Sequence, residues 1–143
     1  MDCLDVNVLI YAYCTAAPQH KDYATFVQSL INSGRSFAVP AVAYSGFFRV
    51  VTNPRAFTPP SPFDDALIFA EQLHSLPHCL TVVPGPRHWD IFVRLCQRGN
   101  ARGNLISDAY LAAMVMERGD ELVTADRGFG RWPGLKWRHP LDE

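Results

Sequence analysis

The segment 101–128 constrains the fold of this chain most, because it predicts a helix followed at once by a short strand. One face of this helix is apolar, with the residue spacing of a buried helical side. That face comprises Leu111, Ala112, Val115 and Met116. Gly119 stands where a helix usually ends, and either Asn104 or Ser107 is predicted to cap its start.

Two carboxylates flank this helix–strand unit. Asp108 is predicted in the first turn of the helix, where the helix dipole favours an anion. The apolar pair Leu122-Val123 predicts the strand. Asp126 follows just beyond the strand's carboxyl end, the edge at which open α/β sheets place their sites. The unit therefore offers two acidic side chains suited to one metal site, which would need further ligands.

The start of the chain repeats the arrangement of a strand followed by an acidic turn. Residues 1–4 predict a strand, Asp5 and Asn7 fall in the turn, and residues 8–14 predict a helix. Further strands are predicted at 37–39, 80–83 and 135–137, and further helices at 21–31, 42–52, 64–74 and 88–97. Strands that alternate with helices favour an α/β fold with a parallel sheet flanked on both faces.

Composition limits the possible classes of protein. The 143 residues suit a single domain, 1–143, and the 48% hydrophobic and 19% charged residues argue against disorder. No apolar run approaches the roughly 20 residues that span a bilayer, and the first residues lack the basic region of a signal peptide. The four cysteines show no C-x-x-C spacing and are interpreted as structural thiols of a reducing compartment. We therefore expect a cytoplasmic protein without membrane association.

The net charge of −1 does not by itself indicate a nucleic-acid partner. The type and distribution of the cations are more informative, because eleven of the thirteen are arginines and ten of these follow residue 48. The planar guanidinium group suits phosphates and carboxylates. The alternative is that many of these arginines lay their stems across apolar surface. Both interpretations stay open for each residue.

Several kinds of catalytic site are not indicated by the sequence. It has no glycine-rich phosphate loop, no nucleophile elbow and no cysteine with a plausible base. The five histidines lack the spacing of metal ligands and are expected at the surface or as caps. What remains is Asp5, Asp108 and Asp126, all predicted at one edge of the sheet.

Three converging carboxylates repel one another unless a divalent ion lies between them. Ligation by oxygen alone selects Mg²⁺ or Mn²⁺, and such an ion can activate water and stabilise charge on a phosphoryl oxygen. Asn7 and Thr124 are predicted to orient a carboxylate or a water beside this ion. An aspartate after a strand also commonly caps a turn, so the spacing alone leaves both interpretations open.

On these residues the chain resembles the PIN-domain ribonucleases, specifically the VapC toxins of bacterial VapBC toxin–antitoxin pairs. The matching segments cover nearly the whole chain in the right order. They are LDVNVLIYAY, GFFRVVTNPRAF, PGPRHWDIF, GNLISDAYLAA and ELVTADRGFGRWPGLKWRHPL. The resemblance implies a PIN-like three-layer sandwich, in which a central, mostly parallel five-stranded sheet lies between helices. It also implies a homodimer and a cognate VapB-like antitoxin that blocks the site.

The resemblance further implies a Mg²⁺- or Mn²⁺-dependent endoribonuclease. Asp5, Asp108 and Asp126 fall on three acidic positions of the family, as catalytic residues and metal ligands. Asn7 and Thr124 match the polar residues that accompany them. The RNA substrate is expected to be a structured cellular RNA, with tRNA as one candidate.

Two positions depart from the family pattern. The family usually has a glutamate just before its Phe-Leu-Arg, where this chain has Gly46, and often a further aspartate where this chain has Gly128. Ser45 or additional water is a candidate replacement for the missing glutamate. The loss makes a catalytically weakened module that binds RNA or the antitoxin the main alternative function. A metal-dependent phosphatase of small phosphoesters is a third hypothesis.

Three arginines next to the matching segments are candidates for contacts to the RNA backbone, because arginine commonly binds phosphate oxygens. They are Arg49, Arg102 and Arg127.

Overall fold

A five-stranded sheet organises residues 1–142, the part of the chain that the computed structural model describes. Its strands are β1 (Asp2–Leu4), β2 (Phe37–Pro40), β3 (Cys79–Val82), β4 (Glu121–Val123) and β5 (Trp137–Arg138). Their order in the sheet is β3-β2-β1-β4-β5, and every neighbouring pair is parallel. The predicted α/β class and parallel five-stranded sheet are confirmed, with β1 at the centre.

Helices cover both faces of this sheet. They are α1 (Val6–Tyr13), α2 (His20–Ser33), α3 (Ala41–Val51), α4 (Phe63–His74), α5 (His88–Arg98) and α6 (Asn104–Arg118), with a 3₁₀ helix at Arg127–Arg131. Alternate residues of a strand point to opposite faces. Leu4 and Val123 therefore pack with α1 to α4, whereas Cys3 and Leu122 pack with α5 and α6. The result is the predicted three-layer sandwich.

The start of α6 differs from the prediction. Gly103 occupies the N-cap position with φ +56°, a backbone conformation that glycine adopts readily. Neither Asn104 nor Ser107 caps the helix, so that prediction is wrong. Because α6 begins at Asn104, Asp108 lies in the second turn rather than the first, beyond the main reach of the helix dipole. Gly119 ends the helix, as predicted, and it does so in the left-handed conformation.

The last strand lies slightly later than the predicted residues 135–137. The register pairs Leu122 with Trp137 and Val123 with Arg138, and this pairing sets the position of β5. The Arg138 guanidinium holds the edge strand through an ion pair with Glu121 at 2.9 Å and another with Asp2.

His88 corrects the expectation that the histidines lie at the surface or at helix caps. Its side chain is buried between α5 and α6, where the ring is stacked on Phe92 and meets Tyr110 edge-on. Its Nε2 lies 2.9 Å from the Tyr110 carbonyl oxygen. The ring therefore links the two helices that form one face of the sandwich.

Two further features concern the cysteines and the lengths of the helices. All four cysteines are free, and Cys3 and Cys79 are buried. No helix within residues 1–142 has both the length and the apolar character needed to cross a membrane.

Candidate functional site

Asp5 lies directly after the central strand and is buried, with 6% of its surface exposed. Its Oδ1 accepts a hydrogen bond from the Val6 amide at 2.7 Å, so the side chain also caps α1. Its Oδ2 accepts from the Thr124 hydroxyl at 2.7 Å and from the Asn7 amide at 3.2 Å. A carboxylate offers about four acceptor positions, so these three bonds leave one on Oδ1 for a further ligand. Asp5 is thus both a helix cap and a candidate ligand.

Thr124 and Asn7 tie the ends of β1 and β4 together around Asp5. The Thr124 oxygen accepts from the Asn7 side chain at 3.1 Å and from the Asp126 amide at 3.0 Å. A hydroxyl has two acceptor positions and one hydrogen, so the Thr124 hydrogen is committed to Asp5. The Asn7 carbonyl oxygen accepts from the Ala125 amide at 3.0 Å. The predicted supporting role of these two side chains therefore rests on direct contacts with Asp5.

Asp108 and Asp126 are less enclosed than Asp5. Asp108 is half-buried on α6, and Asp126 is exposed just beyond β4. The Asp126 Oδ1 accepts from the Gly128 amide at 2.8 Å, which closes the turn that opens the 3₁₀ helix.

Electrostatic repulsion connects the three carboxylates. Burial raises the pKa of Asp5; hydrogen bonds from Thr124 and Val6 oppose this effect, and the charges of Asp108 and Asp126 add to it. Burial also raises the pKa of Asp108, with a further increase from Asp126 that the Arg131 guanidinium opposes. The structure thus brings the three predicted carboxylates to one edge of the sheet, where excess negative charge accumulates.

The chemistry of these side chains fits a hard divalent cation, because they offer oxygen atoms only and repel one another without it. Across residues 1–142, no three acidic, histidine or cysteine side chains are arranged as a ready cluster that could hold a metal ion. Asp5 Oδ1, Asp5 Oδ2 and Asp126 Oδ1 each accept at least one hydrogen bond from a group of the protein. The fit of these residues to a divalent cation therefore rests on their negative charge and on their oxygen atoms as ligands.

Of the two glycines that depart from the family pattern, Gly46 lies against Val6, the neighbour of Asp5, and Gly128 lies against Asp126 itself. A Cβ atom at Gly46 would lie 3.3 Å from Val6 Cγ2, so the glycine lets α3 approach α1 closely beside Asp5. A Cβ atom at Gly128 would lie 2.9 Å from Asp126 Oδ1. Ser45 is exposed and lies about 100° around α3 from Gly46. The structure does not bring Ser45 into the hydrogen-bond network of Asp5.

The predicted arginines have different surroundings. Arg127 binds Asp142 through both terminal nitrogens, at 2.9 and 2.8 Å. Arg102 is exposed beside the start of α6. Arg49 lies in the last turn of α3, about 12 Å along the helix axis from Ala41, the first residue of that helix. Sequence reasoning did not single out Arg131, although its charge acts on Asp108. Its position four residues after Arg127, in the turn that follows Asp126, is the signal that could have indicated it.

The chain is similar to known proteins over nearly its whole length. Residues 3–135 match the PIN domain family. A VapC ribonuclease from Mycobacterium bovis is 42% identical over 142 residues, which cover 99% of this chain and 97% of that protein. Ribonuclease VapC25 from Mycobacterium tuberculosis is 36% identical over 98% of this chain and 99% of its own length.

The chain belongs to the PIN-domain family, among the VapC ribonucleases. The fold of this VapC-type chain is also similar to those of solved structures. The crystal structure of VapBC2 from Rickettsia felis, bound to a DNA fragment from the promoter, matches with a TM-score of 0.69 at 16% identity. That match covers 96% of this chain and 97% of the other. Mycobacterium tuberculosis VapC20, described as a toxin that cleaves the sarcin–ricin loop, matches with a TM-score of 0.67 at 9% identity, over 94% and 98% of the two chains.

Proposed function

We propose that this chain is a Mg²⁺- or Mn²⁺-dependent endoribonuclease toxin that a cognate VapB-like antitoxin neutralises. The observation that carries the proposal is the meeting of Asp5, Asp108 and Asp126 at the carboxyl edge of the sheet. There the charges of Asp108 and Asp126 raise the pKa of Asp5, and the charge of Asp126 raises that of Asp108. The ribonuclease names of relatives that match nearly the whole chain support the same activity. We expect it to act in the cytoplasm.

In this proposal, Asp5, Asp108 and Asp126 hold the divalent ion. When bound, such an ion supplies positive charge for the phosphate and lowers the pKa of water. Thr124 and Asn7 keep the Asp5 carboxylate in one orientation, since each donates to it. Arg131 and Arg102 lie at the same end of the molecule and supply guanidinium groups for phosphate oxygens.

The products should reveal the mechanism. Direct attack of water on phosphorus gives its oxygen to the new 5′-phosphate, while the leaving 3′-oxygen takes up a proton. We therefore expect cut ends with a 5′-phosphate and a 3′-hydroxyl. Unpaired bases in loops are the usual targets of sequence-specific recognition of RNA, so a structured RNA is the expected substrate, with tRNA as one candidate.

The experiment that tests the activity is a Mg²⁺ and Mn²⁺ titration with total cellular RNA, followed by sequencing of the cut ends. We expect discrete cuts by the wild type that require metal and are absent for Asp108→Asn. Asp108 is half-buried and forms no salt bridge within residues 1–142, so this variant should keep the fold, which circular dichroism can verify. Absence of metal-dependent cuts by a folded wild type would contradict the proposal. Hydrolysis of a small aryl phosphate without cleavage of RNA would favour a phosphatase.

The surface beside the carboxylates has an apolar depression that suits a protein partner. Val42 and Ile106 are 47% and 38% exposed and line an apolar depression with Phe92 and Tyr110. We propose that the antitoxin lays an extended or helical tail along this end of the molecule, with an arginine that reaches the carboxylates. Co-purification of the product of a neighbouring short reading frame, and relief of toxicity by its co-expression, would test this. Toxicity that co-expression leaves unchanged would contradict it.

We also propose a homodimer. Multi-angle light scattering of the isolated chain should give about twice the 16.0 kDa mass of one copy. A mass of one copy at micromolar concentration would contradict this part of the proposal.

Gly46 favours a second candidate function, a module that binds RNA or antitoxin but cleaves poorly. A glycine supplies no carboxylate, and α1 approaches this position closely at Val6. The test compares Gly46→Glu with Gly46→Gln, which reproduces the added bulk without the charge, and with Gly46→Ala, which adds only the Cβ atom. Cleavage that only Gly46→Glu restores to an inactive wild type would favour the binding module. Cleavage by the wild type itself would favour the enzyme.

A further inference from the structure

A groove along α5 carries an unusual concentration of arginines. It has a volume of about 460 Å³ and lies between α5, the end of α6 and the segment after the 3₁₀ helix. Its cations are Arg87, Arg94 and Arg98, and its apolar floor includes Leu95, Met116 and Pro133. All three arginines are exposed.

The positive charge of this groove is largely uncompensated. Within residues 1–142, neither Arg94 nor Arg98 forms a salt bridge. Asp90 is the one acidic residue among those that line the groove. The nearby Glu117 carboxylate is already bound by the Gly85 and Arg87 amides, each at 2.7 Å. Two or more guanidinium groups are therefore available to an anion.

The groove leads to the carboxylate edge. α5 ends at Arg98, and at the following Gly99 a Cβ atom would lie 2.8 Å from the Trp132 ring. The Arg131 guanidinium lies over that ring, 5.4 Å from its centre, and its charge also acts on Asp108. A line of cations thus runs from the far end of α5 to the candidate site.

We infer that the α5 groove, defined by Arg87, Arg94 and Arg98, binds the phosphate backbone of the RNA on one side of the cleaved bond. This rests on the proposed ribonuclease function and names a part of its substrate-binding surface. Arg94 and Arg98 are four residues apart, so their side chains are neighbours on one helix face and can contact the same strand. Guanidinium groups bind phosphates in two-pronged geometry. The groove sets position along the strand without reading its sequence.

The double variant Arg94→Gln/Arg98→Gln tests the groove. Arg87 is kept, because its guanidinium donates to the Glu117 carbonyl oxygen at 3.3 Å and its loss would disturb the structure. The matched control is Arg35→Gln/Arg55→Gln, which removes the same charge from exposed residues elsewhere. Both pairs are placed in the Asp108→Asn background with Mg²⁺, so that the RNA stays intact. The probe is a fluorescein-labelled single strand of about 16 nucleotides, the upper range of common binding-site sizes.

We expect the groove variant to bind this RNA roughly 25-fold more weakly at 0.1 M salt, because each phosphate contact to a single strand scales affinity by about the inverse 0.7 power of salt concentration. The slope of log affinity against log salt should decrease in magnitude by about 1.4. The control pair should change the affinity by no more than about twofold and leave the slope of log affinity against log salt unchanged. Affinity and slope that match those of the control would overturn the inference.

Two further outcomes would also overturn it. If RNA affinity is unchanged but binding of the co-purified antitoxin is lost, the groove belongs to an acidic protein partner. If the Asp108→Asn parent does not bind RNA at all, the groove has no such role. Metal-dependent cleavage of the same RNA by the wild type then decides separately whether the proposed function stands.

Discussion

The two halves of the candidate site differ in how far the protein itself holds their side chains. In one half, which we call the closed half, Asp5 is 6% and Thr124 0% exposed, and Asn7 links them. In the other, the open half, Asp108 and Asp126 are more exposed, and Arg131 supplies the nearby positive charge. The Asp5 carboxylate accepts three hydrogen bonds, whereas Asp126 accepts one from its own turn.

This difference indicates a division of roles. Hydrogen bonds that fix a ligand-bearing side chain reduce the reorganisation that binding requires. The closed half is therefore a fixed reference point at the centre of the sheet. The open half can adjust to the proposed metal ion and RNA, since the Asp126 side chain is held mainly by its own turn. Variants in the two halves should accordingly have different effects on stability and activity.

The largest effect is expected in the closed half, for Thr124→Val. The isosteric valine removes one hydrogen bond to Asp5 and leaves the Asn7 and Asp126 donors without their acceptor. Loss of a supporting partner typically costs about 10- to 100-fold in activity. Unsatisfied buried polar groups should lower the free energy of unfolding by about 1–3 kcal/mol. Urea denaturation and RNA cleavage assays would measure both changes.

The control for this variant is Thr124→Ser, which keeps the hydroxyl. It should retain most of the activity and of the hydrogen-bond network.

In the open half, Ser107→Ala beside Asp108 should change the stability by no more than about 0.5 kcal/mol, because Ser107 is exposed. Equal effects of Thr124→Val and Ser107→Ala would remove the distinction between the halves.

The second prediction concerns stabilisation of the fold by Mg²⁺, which can be measured without a cleavage assay. At 100 times its dissociation constant, Mg²⁺ should raise the free energy of unfolding by about 2.7 kcal/mol, seen as a higher melting temperature. In Asp108→Asn the increase should be much smaller.

This stabilisation should disappear as the pH falls. Because the pKa values of Asp5 and Asp108 are raised, both carboxyls take up protons at a higher pH than an ordinary aspartate, and a protonated carboxyl does not bind the cation. Without metal, the effect of pH on the stability of the fold has the opposite sign. A raised pKa in the folded state means that these two groups favour folding more when protonated, and that this contribution is lost as the pH rises through their folded pKa values. Stabilisation by Mg²⁺ that persists below pH 4 would contradict this account.

A smaller effect is expected for Gly128→Ala in the open half. Its Cβ atom would lie 2.9 Å from Asp126 Oδ1, so the carboxylate must move. Displacement of a catalytic group by 1 Å can cost about 100-fold, and we expect about tenfold here because the exposed Asp126 can partly readjust. Stability should change by no more than about 0.5 kcal/mol. A large loss of stability with normal cleavage would show that Asp126 serves the fold instead.

The smallest expected effect is a difference in reactivity between two thiols, that of Cys3 beside the closed half and that of Cys96 on α5. Burial, together with the charge of Asp120, raises the pKa of Cys3 to about 12, two residues before Asp5. Cys3 should therefore stay unmodified by iodoacetamide at pH 8 in the native protein, while the half-buried Cys96 of α5 reacts measurably. Peptide mapping by mass spectrometry would compare them, with a urea-unfolded sample as control. Modification of native Cys3 as fast as Cys96 would indicate that the centre of the sheet opens readily.

The sequence predicted the parts of the site that follow from strand topology. Asp5 and Asp126 each come after a strand, and parallel strands end at the same edge of a sheet, so their proximity could be expected. The helix start was less predictable. A glycine with positive φ begins α6 where a polar cap was expected, and this moves Asp108 into the second turn.

Contacts between elements distant in sequence could not be predicted in the same way. Arg131 acts on Asp108 because the 3₁₀ helix lies near α6, and nothing in the local pattern sets that distance. His88 is buried because α5 and α6 pack against each other, which overrides its ordinary preference for the surface. Both the roles of the three aspartates and the consequence of Gly46 for catalysis remain predictions that the experiments above address.

The fully occupied Thr124 hydroxyl also provides a spectroscopic reporter. Its oxygen has no acceptor position left and its surroundings exclude solvent, so its hydrogen should exchange slowly with water. Slow exchange makes a hydroxyl proton visible by nuclear magnetic resonance as a separate signal. Its exchange rate would measure how often the junction between β1 and β4 opens, without a label or a substrate.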